Sequence, residues 1–204
     1  MNSGDIMDVE KLKTGTTTIG IRTKDAVILA SESKSTMGYL VASKTAQKIY
    51  KLDDKMALTI AGSSGDALTV VRVLRAEIAL YKLEHGDMSV QAAANLLSNI
   101  LQSNRYFYVG LILGGYDSEP HIFSVDAVGG MDEDKKFTST GSGSPFAYGV
   151  LESGYNEKMS KQDAIKLAIN AIKAASQRDV FSGGEKIRIA VITDKGIEMI
   201  EKQN

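Results

Sequence analysis

A run of hydroxyl residues directly after a glycine is the feature with the clearest chemical potential, Thr14-Gly15-Thr16-Thr17-Thr18-Ile19-Gly20. If the chain is cut between Gly15 and Thr16, the new N-terminus carries a hydroxyl nucleophile and an α-amine on one residue. The α-amine has a reference pKa of roughly 7.7–8.0, so it accepts a proton near neutrality, where an unperturbed lysine does not. Threonine is also common in β-strands. The residues alone therefore leave two interpretations open, an N-terminal nucleophile and ordinary strand chemistry.

The composition excludes several other routes to catalysis. Cysteine is absent from the 204 residues, which excludes disulfides, thiolate metal sites and cysteine nucleophiles. The histidines, His85 and His121, lie far apart and lack partners at metal-ligand spacing, so we predict neither a metal site nor a histidine-based triad. No phosphate-binding loop or dinucleotide fingerprint occurs, and we expect no cofactor. Gly62-Ser63-Ser64-Gly65 has the wrong spacing for the nucleophile elbow of a serine hydrolase.

Charge and hydropathy limit the partners. Lys and Arg number 24 against 25 Asp and Glu, a net charge of −1, so binding to nucleic-acid phosphates or to an anionic membrane is not expected. No stretch approaches the ~20 apolar residues of a transmembrane helix. Residues 1–13 lack the basic start and the apolar stretch of a secretory signal, so we predict a cytoplasmic protein with a leader that is not an export tag.

The elements that must position Thr16 alternate in blocks. We predict a first set of strands as a meander of antiparallel hairpins, then two helices, a second hairpin set, two more helices and a final pair of strands. The strands cover residues 17–22, 26–32, 48–52, 56–61, 106–113, 121–126, 135–139, 186–193 and 197–200. The first helix has an apolar stripe of Leu68, Val71, Leu74, Ile78 and Tyr81. The second has an apolar stripe of Val90, Ala93, Leu97, Ile100 and Leu101, with Ser89 as its N-cap and Asn104 near its end. The two later helices cover residues 146–155 and 161–177. This segregation predicts an α+β domain with two packed antiparallel sheets, each covered by helices.

Six segments occur in the order and spacing of one known family. They are Gly15-Thr16-Thr17-Thr18-Ile19-Gly20, Ala30-Ser31-Glu32, Gln47-Lys48, Ile60-Ala61-Gly62-Ser63-Ser64-Gly65-Asp66, Thr140-Gly141-Ser142-Gly143-Ser144-Pro145-Phe146 and Arg178-Asp179. On these residues the chain resembles a proteasome core particle β subunit of archaeal type, from Gly15 to about Thr193. The resemblance implies the N-terminal-nucleophile hydrolase fold, a four-layer αββα sandwich of two antiparallel sheets between helical layers.

The resemblance also implies roles for individual residues. Thr16 would be the nucleophile after self-cleavage of the Gly15–Thr16 bond, which makes residues 1–15 a propeptide and residues 16–204 a single domain. Lys48 would lie beside the Thr16 hydroxyl, Glu32 would hold that lysine charged, and the Gly62 N–H would stabilise the oxyanion. Three polar residues would surround the new N-terminus: Ser142, Asp179 and Ser182. Taken alone, each of these residues also fits a structural role, such as a strand-edge lysine, a turn glycine or a loop serine.

Two further features concern the surroundings of the cut. By the same resemblance, the pocket for the side chain that precedes the cut would be apolar and fairly roomy, and its lining would be Ser35, Ala46, Ile60 and Ser64. Val180-Phe181 stands between Asp179 and Ser182 where relatives frequently have smaller residues, and Ile19 stands where many have Val. The bulk of Val180-Phe181 is expected to alter packing around the N-terminus and to make self-processing less efficient.

The resemblance implies a threonine endopeptidase that degrades unfolded polypeptides. It further implies seven-membered β rings enclosed by rings of α subunits and supplied by an ATP-driven unfoldase. An alternative stays open, a structural β subunit that keeps residues 1–15 and only completes the ring. The bacterial two-ring threonine protease is a weaker alternative, because Gly143-Ser144-Pro145-Phe146 and Arg178-Asp179 resemble the proteasomal pattern more closely.

Overall fold

The computed structural model describes residues 15–103 and 108–204. The predicted helix end at Asn104, the first two residues of the predicted strand 106–113 and residues 1–14 of the predicted propeptide lie outside these ranges. The elements of the described part are β1 (Thr18–Arg22), β2 (Val27–Ser31), β3 (Ser35–Met37), β4 (Leu40–Ser43), β5 (Ile49–Lys51), β6 (Met56–Gly62), α1 (Ser64–His85), α2 (Val90–Ser103), β7 (Val109–Tyr116), β8 (Pro120–Val125), β9 (Met131–Glu133), β10 (Phe137–Thr140), α3 (Ser144–Gly154), α4 (Lys161–Arg178), β11 (Lys186–Thr193) and β12 (Gly196–Gln203).

Two antiparallel sheets of five strands each form the centre of the molecule. One has the order β10-β1-β2-β11-β12, the other has the order β5-β6-β7-β8-β9, and β3 and β4 form a separate hairpin. The hairpins β1–β2 and β5–β6 were expected in one meander, and this is wrong because they belong to different sheets. The β3–β4 hairpin lies between them along the chain. Likewise β10 does not continue the β7–β9 set; it pairs with β1, with Phe137 opposite Ile21.

Three apolar clusters hold the layers together. Helices α1 and α2 cover the β5–β9 sheet through a cluster that includes Leu74, Leu97 and Phe123. Helices α3 and α4 cover the other sheet through a second cluster, and a third, which includes Leu29 and Ile112, lies between the sheets. The order of layers is therefore helices, sheet, sheet, helices. This confirms the predicted αββα sandwich, since each sheet packs against helices on one face and against the other sheet on the opposite face.

The ends of α1 and α2 follow their capping residues, although one predicted stripe is shifted. Ser63 caps α1 by accepting from the Asp66 N–H, and Ser89 accepts from the Ala92 N–H as predicted. Leu68 and Tyr81 of the predicted α1 stripe are wrong, because each is 39% exposed, and the buried positions are Ala67, Val70, Val71, Leu74 and Ile78. The helical period fits both stripes, so burial decides between them.

In the described part of the chain we find neither a helix that could cross a membrane nor a cluster of side chains that could hold a metal ion. Within residues 15–103 and 108–204, no helix is long and apolar enough to cross a membrane. Over the same ranges, no group of three or more His, Asp or Glu side chains is placed to hold a metal ion.

Candidate active site

Thr16 lies just before β1, where the neighbouring strands bring two charged residues to it. Glu32 follows β2 directly, and Lys48 precedes β5 directly. The Lys48 Nζ donates to the Thr16 Oγ at 2.9 Å and forms an ion pair with Glu32 Oε1. The Thr16 Oγ in turn donates to the Gly15 carbonyl oxygen at 2.7 Å. The structure therefore brings together three of the predicted residues around one hydroxyl, and that hydroxyl contacts the peptide group that precedes it.

Glu32 is anchored by the backbone as well as by Lys48. Its carboxylate accepts from the Thr17 N–H at 3.2 Å, the Lys34 N–H at 2.6 Å and the Gly183 N–H at 3.1 Å. These donors fix the carboxylate in one orientation. The ion pair with this carboxylate and the hydrogen bond to Thr16 Oγ in turn hold the Lys48 ammonium.

Burial sets the protonation behaviour of the Lys48–Glu32 pair. Glu32 is 0% and Lys48 is 5% exposed. Burial raises the pKa of the Glu32 carboxyl and lowers the pKa of the Lys48 ammonium, while the attraction between the two charges acts in the opposite direction on both. Desolvation is the larger effect, so the proton on Lys48 is held less tightly than on a lysine in water. Such a lysine can both give and accept a proton at the Thr16 hydroxyl.

A second polar group surrounds the Thr16 nitrogen. The Thr16 N–H donates to Ser142 Oγ at 3.2 Å, and the Ser142 Oγ donates to Asp179 Oδ2 at 2.6 Å. The Ser182 Oγ donates to the same carboxylate oxygen at 2.6 Å and lies 2.6 Å from Thr17 Oγ. Asp179 is the C-cap of α4, where the helix dipole disfavours a negative charge. The structure thus links the three residues predicted for this group by hydrogen bonds, and Ser142 is the one that contacts the nitrogen that would become the N-terminus.

Gly62 lies at the end of β6, close to the peptide group that precedes Thr16. Its φ is +102°, and a Cβ at this position would lie 2.3 Å from the Tyr108 carbonyl oxygen. A side chain is therefore excluded by both conformation and space. Gly62 and Gly15 line the same two cavities, so both glycines border the space next to the Gly15–Thr16 bond.

The smaller of these cavities brings together the four residues predicted for the substrate pocket, Ser35, Ala46, Ile60 and Ser64, with Thr16 and Lys48. Its volume is only about 30 Å³. With Gly15 still attached the space is therefore small, and Gly15, Lys34, Thr36 and Gln47 also line it. The expectation of a fairly roomy pocket concerns the cut chain and stays a prediction. The larger of the two cavities has a volume of about 380 Å³ and is lined by Gly62, Tyr108, Ser142 and Phe181, among others.

Three residues that hold the site were not predicted from the sequence. Thr17, Lys34 and Gly183 bind Glu32 through backbone N–H groups, which every residue type except proline carries. Only the glycine could have been found from the sequence, because two consecutive glycines, Gly183 and Gly184, follow Ser182. In the structure both have positive φ, +133° and +92°. A Cβ on Gly184 would lie 2.6 Å from the Lys34 nitrogen. The paired glycines thus let two backbone segments meet beside Glu32.

Comparison with known proteins agrees with this geometry. The proteasome subunit family matches residues 12–192. The chain is 54% identical over 202 residues to the proteasome subunit beta of Methanocaldococcus fervens, with 97% of this chain and 88% of that protein covered. It is 47% identical over 196 residues to that of Methanobrevibacter smithii, with 95% of each covered. It is 50% identical over 189 residues to that of Thermoplasma acidophilum, with 91% of this chain and 89% of that protein covered. The family match spans most of the sequence and includes every residue of the site, and the chain belongs to the proteasome subunit family.

Proposed function

We propose that this chain is the catalytic β subunit of a proteasome core particle, a threonine endopeptidase with Thr16 as its N-terminal nucleophile. Membership of the proteasome subunit family supports a peptidase role. The finer assignment rests on one observation: the Thr16 Oγ lies 2.9 Å from the Nζ of a buried lysine and donates to the Gly15 carbonyl oxygen. A nucleophile, a proton carrier and a carbonyl group are thus adjacent.

Self-cleavage of the Gly15–Thr16 bond is the first step. The Thr16 Oγ adds to the Gly15 carbonyl carbon as its proton passes to Lys48, whose pKa is lowered by burial. The bond from that carbon to the Thr16 nitrogen then breaks, and the nitrogen takes the proton back from Lys48. This leaves an ester on Oγ and a free α-amine on Thr16. Water hydrolyses the ester to the Gly15 carboxylate and the free Thr16 hydroxyl, so residues 1–15 are the propeptide.

Cleavage of a substrate repeats this chemistry with one change of base. The freed α-amine now accepts the Oγ proton, and Ser142, which lies 3.2 Å from the Thr16 nitrogen, orients that amine. The Gly62 N–H donates to the developing oxyanion, a contribution typically worth about 3–4 kcal/mol of barrier. The proton passes from the amine to the leaving nitrogen. Water then releases the acyl group from Thr16 without a metal or an organic cofactor.

The proposed partners are those of a ring-forming subunit in the cytoplasm. We assign the chain to seven-membered β rings between rings of α subunits, with unfolded polypeptides delivered by an ATP-driven unfoldase. The β3–β4 hairpin supports contacts with other subunits, because it exposes Met37, Tyr39, Leu40 and Val41. An exposed apolar group of this size is typical of a protein interface. We propose neither nucleic acid nor membrane as a partner.

A β subunit that only completes the ring is the alternative. Such a subunit would keep residues 1–15 and would have no use for a charged pair beneath Thr16. The burial of Lys48 and Glu32 costs free energy that well-packed apolar side chains would not. The presence of this pair therefore favours the catalytic assignment.

Replacement of Thr16 tests the proposal. We expect Thr16→Ala to assemble normally, to retain residues 1–15 and to lose peptidase activity, because no hydroxyl remains to attack. Thr16→Ser is the matched control, since it keeps both the hydroxyl and the α-amine and should retain processing and measurable activity. Intact mass of subunits from assembled particles and hydrolysis of a peptide reporter give the two readouts. Undiminished cleavage by Thr16→Ala, or a full-length wild-type subunit in active particles, would contradict the assignment.

A further inference from the structure

We propose that Phe181 is a positioning residue for the cut between Gly15 and Thr16: its side chain packs on the α-carbon of Gly15 and holds the scissile carbonyl in place. The inference rests on the self-cleavage proposed above and adds a residue to it. It also reverses the expectation from the sequence, which treated the bulk of Val180-Phe181 as an obstacle to processing.

The contact between Phe181 and Gly15 is direct. A Cβ added to Gly15 would lie 1.7 Å from Phe181 Cβ, 2.6 Å from Phe181 Cγ and 2.7 Å from Ser142 Oγ. These separations are far below van der Waals contact, so residue 15 has room only for glycine. The Gly15 N–H donates to Thr36 Oγ at 3.4 Å. Gly15 is therefore held by a hydrogen bond from its nitrogen and by packing against its α-carbon.

The position of Phe181 is set by the carboxylate that also orients Ser142. Asp179 Oδ1 accepts from the Phe181 N–H at 3.3 Å, and Asp179 Oδ2 accepts from the Ser142 Oγ at 2.6 Å. The Lys34 Nζ donates to the Val180 carbonyl oxygen at 3.1 Å and holds the same loop from the other side. Asp179 thus controls both residues that flank the scissile bond, Phe181 against Gly15 and Ser142 against the Thr16 nitrogen.

The consequence for the reaction follows from the geometry of attack. The Thr16 Oγ must reach the carbonyl carbon of the residue to which it is joined, so small rotations of Gly15 move that carbon out of line. A misplacement of about 1 Å can cost roughly 100-fold in rate. Packing by Phe181 restricts such rotations before the bond is cut.

Substitutions that enlarge residue 15 and reduce residue 181, singly and together, test the contact between Gly15 and Phe181. We expect Gly15→Ala to be processed about 100-fold more slowly than the wild type, because the added methyl displaces the carbonyl. Phe181→Gly removes both nearby Phe181 atoms, while Ser142 Oγ stays 2.7 Å from the added methyl, so the double variant Gly15→Ala/Phe181→Gly should recover part of the rate. In the wild-type background, the same Phe181→Gly should slow processing, since Gly15 is no longer confined. A merely structural role for Phe181 predicts slowing in both backgrounds. The readout is the fraction of full-length chain over time, measured by intact mass.

Two further variants keep the test decisive if Phe181→Gly fails to fold. Phe181→Ala keeps Cβ but removes the ring, and we expect processing to slow about 10-fold. Val180→Ala is the matched control, since Val180 is 74% exposed, and it should be processed at the wild-type rate. The inference is overturned if Phe181→Ala matches Val180→Ala, or if a folded double variant is no faster than Gly15→Ala. A wild-type chain that is never processed contradicts the proposed function instead, so the two failures are distinguishable.

Discussion

Two groups of paired charges in this molecule have opposite surroundings. Lys48 and Glu32 pair beneath Thr16, with side chains that are 6% and 0% exposed. On β11 and the edge strand β12, Glu201 pairs with Lys186 at 2.6 Å and with Arg188 at 2.8 Å, and the side chain of Glu201 is 49% exposed. We call the second group the β12 ion pairs. Both groups are ion pairs between a carboxylate and cationic side chains, and they differ in how far solvent reaches the carboxylate.

The difference in solvent access changes which effect controls the carboxylate. Hydrogen bonds from Lys186 and then Arg188 lower the pKa of Glu201, so at the surface pairing dominates. Desolvation raises the pKa of Glu32 despite its lysine partner, so in the interior burial dominates. An exposed pair adds little to stability because solvent screens it, whereas a buried pair must recover the cost of leaving water. The comparison supports the catalytic role proposed for the Lys48–Glu32 pair, since stability alone does not explain a buried ion pair.

Among substitutions at these two groups of charges, removal of Lys48 should have the largest effect on activity and stability. We expect Lys48→Met to lose about 10²–10⁴-fold in processing and peptidase rate, because the Thr16 hydroxyl loses its proton carrier. The variant should also lose about 3–5 kcal/mol in free energy of unfolding, because Glu32 stays buried without a counter-charge. Reporter hydrolysis, intact mass and thermal unfolding measure these effects.

The control for Lys48→Met is the double variant Lys48→Met/Glu32→Gln. It carries no charge at either position and keeps a side-chain oxygen that can accept from the backbone N–H groups around residue 32, so it should regain part of the lost stability while its activity stays absent. If Lys48→Met were inactive but fully stable, the account of Glu32 as a buried carboxylate that depends on its partner would fail. An active double variant would instead remove the pair from the mechanism.

The pH dependence of processing tests whether the charge of Glu32 influences the pKa of Lys48. Lys48 must be neutral to accept the Thr16 proton, so the processing rate should rise with pH and level off once Lys48 has lost its proton. Burial lowers the pKa of Lys48 below 10.5, and the Glu32 carboxylate acts against this by raising it. Glu32→Gln removes the opposing charge, so the midpoint should move to lower pH. Rates from intact mass across a pH series measure the shift, and a midpoint that stays in place or moves upward would contradict the coupling.

Much of the site was predicted from the sequence, but through its resemblance to a family more than through its physical patterns. Periodicity predicted the layers, because apolar stripes and alternation report which face is buried. It did not predict that β10 crosses to β1, since the partners Ile21 and Phe137 lie far apart along the chain. The β3–β4 hairpin was missed because its strands are short and largely exposed. The contact of Phe181 with Gly15 was also missed, because it depends on a loop conformation that one carboxylate sets.

Substitution at the β12 ion pairs should have the smallest effect. We expect Glu201→Gln to change Tm by at most about 2 °C and to leave processing and peptidase rates at wild-type values, because Glu201 is half-exposed and solvent already screens its charge. Arg188 differs from its partner, since its guanidinium also donates to the Ala46 carbonyl oxygen at 2.6 Å and the Thr45 carbonyl oxygen at 3.2 Å. Arg188→Gln should therefore affect reporter hydrolysis more than Glu201→Gln does, because Ala46 lines the pocket beside Thr16. If Glu201→Gln reduced stability as much as Lys48→Met, exposure would not be what separates the two groups of charges.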